Sequence, residues 1–303
     1  MSVPGGQVAQ NLRKRKRVSY AEDDVDEDGK KLRKIERTIS VCAWNMQRSP
    51  IETDRRYRKQ DDARRNRKAQ LHYLCSQYDI VCISEPSKGL RESVNDPHAH
   101  ASLPSGGTWM ASSFIDNQSD SAACRSLLFV KARLKPQTVD INFTSGSDDA
   151  SRYPAAAIIN VSGIKLLVVS FHATSYGGAS NTNNLIELLH EKTGDMKSWE
   201  HVGVMVGGDL NCEEAKYGGT RTPDEVTHQR GGVLDGFYAE GIDAMASALV
   251  DGVRIVPGFK LRTTRSAKIS GKEPGCFRIG TPLRLSDHAP VCATLTLSGA
   301  VPK

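Results

Sequence analysis

Short apolar runs that each stop at a polar residue restrict the fold of this sequence more than any other feature. Runs rich in β-branched residues are typical of buried strands. They cover residues 39–46, 79–86, 126–131, 155–161, 164–171, 202–206 and 291–297. Segments with apolar residues at helical spacing lie at 55–78 and 182–192. This mixture predicts an α/β fold, and the lack of an internal repeat or a long linker after residue 38 predicts one domain.

The polar residues at the ends of these runs form a set with a coherent chemistry. Polar groups at strand ends collect at one edge of an α/β sheet, where ligands bind. The set consists of Asn45, Glu85, His172, Asp209, Asn211, Asp235, Asp287 and His288. Its oxygen ligands suit a hard divalent cation and its imidazoles suit proton transfer, as metal-assisted phosphodiester cleavage requires. It contains no cysteine, which argues against a zinc site built on thiolates.

Four members of the set also have simpler structural explanations. Asn45 is a common turn former at the end of a strand, and a single histidine such as His172 is more often structural than catalytic. The pair Asp287-His288 is short enough to occur by chance in a surface turn. These alternatives stay open for each residue alone, whereas the recurrence of the pattern favours a shared site.

Six short motifs resemble, in their order and spacing, those of the endonuclease/exonuclease/phosphatase superfamily over residues 38–298. They are Trp44-Asn45-Met46-Gln47, Ser84-Glu85-Pro86, Ser170-Phe171-His172-Ala173, Gly208-Asp209-Leu210-Asn211, Leu234-Asp235 and Ser286-Asp287-His288-Ala289-Pro290-Val291. Within the superfamily, the chain is most similar to the deoxyribonuclease I-like B subunit of cytolethal distending toxins. The form of the first motif, Gly177-Gly178 after the third, and Arg152-Tyr153-Pro154 carry that closer resemblance.

The resemblance implies a fold and a metal site. The fold would be a four-layer α/β sandwich like that of deoxyribonuclease I, with two mixed β-sheets face to face and helices outside. Glu85 would be the principal Mg²⁺ ligand, with Asn45 and Asp287 in or near the coordination shell. Mn²⁺ is the alternative metal.

The resemblance also implies roles for the remaining polar residues. Asp235 would hold the ring of His288, the general base that activates the attacking water. Asp209 would orient that water, and His172 would protonate or stabilise the leaving oxygen. Phosphate contacts are implied for Asn211, Arg125 and Arg152.

The positive charge of the chain is concentrated in two blocks. The net charge is +6, but residues 1–37 carry ten basic against seven acidic residues and residues 48–68 carry nine against four. These blocks exceed the total, so the rest of the chain is slightly acidic. Local positive charge of this kind predicts a polyanionic partner, which we expect to be DNA. The basic first half of the predicted 55–78 helix would lie along the phosphate backbone of this partner. The alternative is that this half of the helix is only a solvated face.

Residues 1–37 are predicted to be a disordered tail that precedes a nuclease domain at 38–303, because they lack periodic apolar positions. The basic clusters at 13–17 and 30–34 resemble a bipartite nuclear localisation signal, which predicts contact with a nuclear import receptor through residues 13–34. The alternative is a solvated tail that touches nucleic acid non-specifically. Toxin B subunits normally carry a secretion signal, and their delivery partners cannot be inferred from this chain.

The start of the chain has no apolar core of a secretory signal, and no run reaches the ~18 apolar residues of a membrane span. The seven cysteines are scattered, with no Cys-x-x-Cys pair. We therefore expect synthesis in a reducing cytosol, no membrane partner, and action in a nucleus.

The function expected from these observations is Mg²⁺-dependent hydrolysis of DNA phosphodiester bonds by an endonuclease, as a toxin or effector. An abasic-site or retrotransposon-type endonuclease is a variation of it. The alternative is a phosphatase of phosphoinositides or other phosphomonoesters. Inositol-phosphate enzymes of this superfamily have a Cys-Asp-Arg element where this chain has Leu234-Asp235-Gly236, which disfavours that alternative. A catalytically inactive binding module is disfavoured because each catalytic position holds a competent residue.

Overall fold

The structure, a computed structural model, describes most of the chain in eleven stretches. These are residues 31–47, 61–96, 103–112, 126–141, 143, 153–174, 178–195, 202–211, 220–241, 246–281 and 283–302. Residues 1–30, which contain most of the predicted tail and its first basic cluster, lie outside them. So do Arg125 and Arg152.

The described residues form fifteen strands and four α-helices. The strands are β1 (Leu32–Asn45), β2 (Ile80–Ser84), β3 (Gly107–Ala111), β4 (Ser126–Lys131), β5 (Gln137–Val139), β6 (Ala155–Val161), β7 (Ile164–His172), β8 (Val202–Asp209), β9 (Thr220–Arg221), β10 (Asp235–Glu240), β11 (Ala246–Ile255), β12 (Phe259–Arg262), β13 (Gly275–Arg278), β14 (Arg284–Ser286) and β15 (Val291–Pro302). The helices are α1 (Asp61–Gln77), α2 (Lys88–Asn95), α3 (Gly178–Asp195) and α4 (Thr264–Ser270). None of these helices is both long and apolar enough to cross a membrane.

Two six-stranded sheets carry the fold, and they resemble each other in topology. The first has the order β11-β15-β1-β2-β4-β3 and the second β5-β6-β7-β8-β10-β9. Each is mixed, because β1 pairs with β2 in parallel and β7 pairs with β8 in parallel, while their other pairings are antiparallel. A separate three-stranded sheet has the order β12-β13-β14.

Alternation along the strands divides the buried apolar side chains into three layers. Val41 and Ala43 of β1 point into the core between the two large sheets, whereas Cys42 and Trp44 point to the side covered by α1. The second sheet behaves in the same way and packs its outer face against α3. The period of two along each strand therefore builds a helix–sheet–sheet–helix sandwich. The four-layer fold predicted from the sequence is confirmed.

The predicted boundary at residue 37 differs from the structure. Strand β1 begins at Leu32 and pairs with β15 from Leu32 opposite Pro302 onward. The many charged residues at 31–37 indicated a tail. The end of β15, however, provides hydrogen-bond partners for their backbone, so they form part of a strand. Ile35 is buried in the core between the sheets while its neighbours are exposed. Most of the second basic cluster therefore lies in a strand.

A buried carboxylate, Asp79, joins the start of β2 to β1. Its Oδ2 atom accepts hydrogen bonds from the backbone N–H and the hydroxyl of Ser40 at 3.1 and 3.0 Å. Its Oδ1 atom accepts one from Arg133 at 2.6 Å. Burial raises the pKa of Asp79, but the hydrogen bonds from Arg133 and Ser40 outweigh that effect and lower it overall.

We predict that Asp79→Asn destabilises the protein by about 1–3 kcal/mol at pH 7, because Ser40 and Arg133 lose the buried charged acceptor of their hydrogen bonds. The pKa of Asp79 is lowered on folding, so its contribution is present above its ordinary value of 3.8 and is lost as the pH falls through the lower folded value. Urea unfolding at pH 7 and at decreasing pH measures both effects. The exposed Asp224→Asn serves as the control. An equal loss of stability at all pH values would contradict the assignment.

Candidate active site

The candidate site is the polar end of the core that lies between the two large sheets. Asn45 follows Ala43 by two residues on the inner face of β1, and Asp209 follows Met205 and Gly207 on the inner face of β8. His172 ends the inner face of β7 in the same way. Because both parallel pairs have their carboxyl ends at this edge, side chains from both sheets meet there.

Asp209 lies at the centre of this cluster and is almost fully buried. Its Oδ2 atom accepts a hydrogen bond from Asn45 Nδ2 at 2.8 Å. The same oxygen lies 3.6 Å from His172 Nε2 and 3.7 Å from His288 Nε2. Burial raises the pKa of Asp209, and the imidazoles and the amide of Asn45 oppose that rise. The two rings therefore flank one buried carboxylate.

The backbone around Asp209 is shaped by a close approach of neighbouring strands. A Cβ atom on Gly208 would lie 1.9 Å from the carbonyl oxygen of Phe171, so only glycine fits there. The Ser84 hydroxyl accepts a hydrogen bond from the Asp209 N–H and donates one to the Phe171 carbonyl, at 3.3 Å each. One hydroxyl thus links β2 of the first sheet to β7 and β8 of the second.

Three residues at the strand ends have left-handed backbone angles. The φ angles of Gln47, Glu85 and Asn211 are 51°, 48° and 46°. Residues other than glycine rarely adopt this region, and those that do concentrate at functional sites. Glu85 follows β2 directly, whereas Gln47 and Asn211 stand two residues after the ends of β1 and β8, so each turn redirects the chain just beyond a strand end.

Asn45 connects the two acidic sides of the cluster. Its Nδ2 group approaches Glu85 Oε1 at 3.5 Å as well as Asp209, while its Oδ1 atom accepts the backbone N–H of Gln47 at 2.8 Å. His172 Nε2 is also 3.6 Å from Glu85 Oε1. Glu85 and Asp209 therefore share two polar neighbours, Asn45 and His172. The side-chain oxygen Oδ1 of Asn45 keeps one lone pair for a further partner.

His288 is held by Asp235 on the side opposite Asp209. The Nδ1–H group of the ring donates to Asp235 Oδ2 at 2.8 Å, which leaves Nε2 facing Asp209 and, at 3.9 Å, Asp287 Oδ1. Burial alone lowers the pKa of His288, but the carboxylates of Asp235, Asp209 and Asp287 outweigh it and raise the pKa to about 10. The second oxygen of Asp235 is buried without a hydrogen-bond partner.

His228 belongs to the cluster but does not stand at the end of an apolar run, so the sequence pattern missed it. A backbone bridge pairs it with His288, and the two ring centroids are 4.6 Å apart. His228 Nε2 lies 3.5 Å from Asp287 Oδ2. Burial raises the pKa of Asp287, but the hydrogen bond from His228 and the charges of both rings outweigh it and lower the pKa. The sequence signal that could have indicated His228 is its position seven residues before Asp235, in the segment that precedes the Leu234-Asp235 motif.

The buried Thr227 beside it was also missed. Its hydroxyl accepts the backbone N–H groups of Leu234 and Asp235, and its carbonyl accepts the N–H of Ala289. This residue therefore fixes the segment that carries Asp235 against the segment that carries His288.

Asn211 lies beside the centre of the cluster. Its backbone N–H donates to Asp209 Oδ1 at 3.1 Å and its Nδ2 donates to the carbonyl of Ala173 at 2.8 Å. The structure thus brings eight of the ten predicted residues into one contiguous network. The other two, Arg125 and Arg152, lie outside the described residues.

The donor chemistry of this network fits a divalent cation. Four carboxylates, those of Glu85, Asp209, Asp235 and Asp287, face only three imidazoles, and several of these groups are buried. Asp287 with His228 and His288, and Asp209 with Asp235 and His288, each bring three potential ligand atoms within 4.8 Å of one another. Glu85 Oε1 and the Asn45 side-chain oxygen, which lie outside both groups, are further hard oxygen atoms of the kind that Mg²⁺ or Mn²⁺ prefers.

Comparison with known proteins identifies the fold. No known family profile matches the sequence, and no curated protein matches it. D. rerio TDP2 complexed with a single-strand DNA product superposes with a TM-score of 0.56 at 12% identity, covering 85% of this chain and 98% of that one. An endonuclease/exonuclease/phosphatase protein from Bacteroides vulgatus gives 0.55 at 14% identity, covering 86% and 98%. A Bacteroides thetaiotaomicron mannosyl-6-phosphatase gives 0.56 at 12% identity, covering 85% and 99%.

These matches define the class of fold: it is that of the endonuclease/exonuclease/phosphatase proteins. Members of that superfamily are hydrolases that act on phosphoesters. The neighbours include both a protein bound to a DNA product and a sugar phosphatase, so the fold does not by itself select a substrate.

We predict that Asp235→Asn lowers the pKa of His288 from about 10 toward its ordinary value of 6.5, because the closest carboxylate loses its charge. NMR titration of the imidazole nitrogens, with EDTA present, measures this shift. Asp251→Asn, an exposed site on β11, is the control and should leave the titration unchanged. An unaltered His288 titration in Asp235→Asn would refute the electrostatic description of the pair.

Proposed function

We propose that this chain is a member of the endonuclease/exonuclease/phosphatase superfamily that hydrolyses DNA phosphodiester bonds with the help of Mg²⁺. One observation carries the proposal: two imidazoles flank the buried Asp209 carboxylate at 3.6 and 3.7 Å, while Glu85 lies 3.6 Å from His172 and Asp287 lies 3.9 Å from His288. This arrangement supports a proton acceptor, a proton donor and cation ligands around one reacting centre.

His288 is suited to act as the general base. Asp235 binds its Nδ1–H, which fixes the tautomer and leaves Nε2 to accept a proton from water. Asp209 Oδ2, 3.7 Å from Nε2, is placed to accept the second hydrogen of that water and so to orient its oxygen. The water oxygen forms the new bond to phosphorus as the proton passes to His288.

His172 is suited to the leaving group. Its Nε2 atom lies between Glu85 and Asp209, and both carboxylates favour its protonated form. When the bond between phosphorus and the ester oxygen breaks, a proton from His172 neutralises the departing alkoxide. Asn211 would bind a non-bridging phosphate oxygen, and the same role stays predicted for Arg125 and Arg152.

Glu85, Asp287 and the Asn45 carbonyl oxygen would hold the cation, Mg²⁺ or alternatively Mn²⁺. When bound, the cation would neutralise negative charge on the phosphate. It would also offset the negative charge of the carboxylates near His288 and so lower the pKa of that ring toward neutrality. His228 keeps Asp287 in place from the opposite side.

The DNA-bound TDP2 neighbour supports DNA as substrate, and the basic blocks of the sequence support it independently. The closer resemblance to a toxin B subunit, action in a nucleus, and contact of residues 13–34 with an import receptor remain predictions from the sequence. A test of the last two is localisation of a chain without residues 1–30, which keeps β1 intact. If the tail directs import, that chain should leave the nucleus.

We predict that the protein nicks supercoiled plasmid in the presence of Mg²⁺, and that His172→Ala and His288→Ala each slow nicking by about 10²–10⁴-fold, the usual value of a positioned acid or base. His72→Ala, on helix α1, is the matched control and should nick at the parent rate. If both site variants nick as fast as the parent, the assignment is wrong.

The second candidate, a phosphomonoesterase, is favoured by the sugar phosphatase neighbour. Phosphate release from a phosphoinositide or a sugar phosphate, in the same Mg²⁺ buffer and without plasmid nicking, would reverse the order of the two candidates. Loss of that release in His288→Ala would place it at the same site.

We predict that His228→Ala raises the Mg²⁺ concentration needed for half-maximal activity several-fold, by releasing Asp287, with a smaller loss of maximal rate than His288→Ala causes. His228→Gln, which can still donate to Asp287, should recover most of the Mg²⁺ affinity. A loss of maximal rate equal to that of His288→Ala, with Mg²⁺ dependence unchanged, would instead make His228 a direct participant in proton transfer.

A further inference from the structure

The segment 259–284 forms a strongly basic part of the described surface. It holds β12, α4, β13 and the first residue of β14, and we call it the β12–β14 unit. Its sequence contains seven basic residues and one acidic residue, Glu273, so its net charge equals that of the entire chain. Lys260, Arg265, Lys268 and Lys272 are exposed. This charge is spread over two strands and a helix and does not form a continuous run, so it is not evident as a basic cluster in the sequence.

The inner side of the β12–β14 unit is anchored to the domain, so its outer side has a fixed position. Phe259 and Cys276 are buried in the same apolar cluster as Leu71 and Leu74 of α1. The Arg278 guanidinium stacks over Tyr73 of α1 at 4.1 Å from the ring centroid. The β12–β14 unit is therefore packed firmly against the rest of the domain.

The β12–β14 unit is also joined directly to the rim of the candidate active site. Arg284 donates to the side-chain oxygens of Gln47 and Gln229, at 3.2 and 3.4 Å. The Thr264 N–H at the start of α4 donates to the Gln229 carbonyl at 2.7 Å. Gln47 is the last residue of the Asn45 motif, and Gln229 follows His228, so the basic surface begins at the edge of the polar cluster.

Two large apolar side chains project from this basic surface. Ile269 at the end of α4 is 80% exposed and Ile279 after β13 is 67% exposed. Together with Leu249 they are the large hydrophobic side chains that stand exposed in the described part of the chain. Isolated apolar side chains within a basic surface are typical of proteins that contact a nucleic-acid groove between backbone contacts.

We propose that the β12–β14 unit is a docking surface for duplex DNA, which binds the phosphate backbone beyond the scissile bond and places Ile269 and Ile279 against the groove. The inference deepens the proposed function, on which it rests for the path of the strand through the site. Charge complementarity and continuity with the site rim carry it. A membrane is the weaker partner, because α4 has only seven residues and turns its Ala267 inward, so two separate isoleucines do not form an inserting face.

The test compares two double charge reversals with the same change in net charge. Arg265→Glu/Lys268→Glu alters the β12–β14 unit. Lys135→Glu/Lys165→Glu alters exposed residues elsewhere, and Lys165 lies near the start of β7, at the other end of the strand from His172. Binding of a fluorescent 30-base-pair duplex is followed by anisotropy from about 50 to 200 mM salt with EDTA present. Hydrolysis of bis(p-nitrophenyl) phosphate with Mg²⁺ reports the catalytic groups without a docking surface.

We expect the reversal in the β12–β14 unit to weaken duplex binding at least tenfold and to reduce the salt slope by about one per lost phosphate contact. The control reversal should change affinity much less, and both should hydrolyse the small ester at the parent rate. Ile269→Ser/Ile279→Ser should weaken duplex binding while leaving the salt slope unchanged.

Equal duplex binding by both reversals, or no duplex binding by the parent, would overturn the proposal. Loss of binding to phosphatidylserine vesicles with duplex binding unaltered would overturn it in favour of a membrane partner. Duplex binding that depends on the β12–β14 unit in a protein that cleaves no phosphoester would support the docking surface and reject the proposed function, so the two failures are distinct.

Discussion

The alternation of side chains along two parallel strand pairs is the constraint on which the rest of the structure depends. Every second residue of β1, β2, β7 and β8 points into the core between the sheets. Where the apolar residues end, the same geometry continues with Asn45, Ser84, His172 and Asp209. The site is therefore not added to the sandwich but is the last layer of its core, with polar groups in place of apolar ones.

Polar groups in such a position are costly unless they satisfy one another. Asp209 meets this condition through Asn45, the imidazoles of His172 and His288, and the N–H of Asn211. Asp235 meets it less completely, since one of its oxygens is buried without a hydrogen bond and its charge is balanced chiefly by the His288 ring. The site thus has more carboxylates than imidazoles, held at fixed positions by the fold. A divalent cation would compensate the remaining negative charge.

The sequence predicted those parts of the site that obey the strand period. Asn45, Glu85, His172 and Asp209 could be found because each one adjoins the carboxyl end of an apolar strand, and Asp235 because it follows the apolar pair Val233-Leu234. His228 could not, because it reaches the site through a backbone bridge to His288 and has no apolar run beside it. The extension of β1 back to Leu32 was missed for a related reason: its partner is the far end of β15, and long-range pairing leaves no trace in a charged local sequence. The three-stranded sheet was missed because its strands have three or four residues each.

The same fold occurs in proteins that act on different molecules, as the DNA-bound TDP2 and the mannosyl-6-phosphatase illustrate. A scissile phosphate and its cation look alike in a nucleic acid and in a small ester, so the residues that contact them cannot tell these substrates apart. Selection must come from surfaces that contact what lies beyond the phosphate. In this chain the β12–β14 unit leads through β14 into the segment that carries Asp287 and His288, so the proposed docking surface is continuous with the site. Under the proposed function, a polyanionic strand contacts both the site and this surface, whereas a small phosphomonoester contacts the site alone.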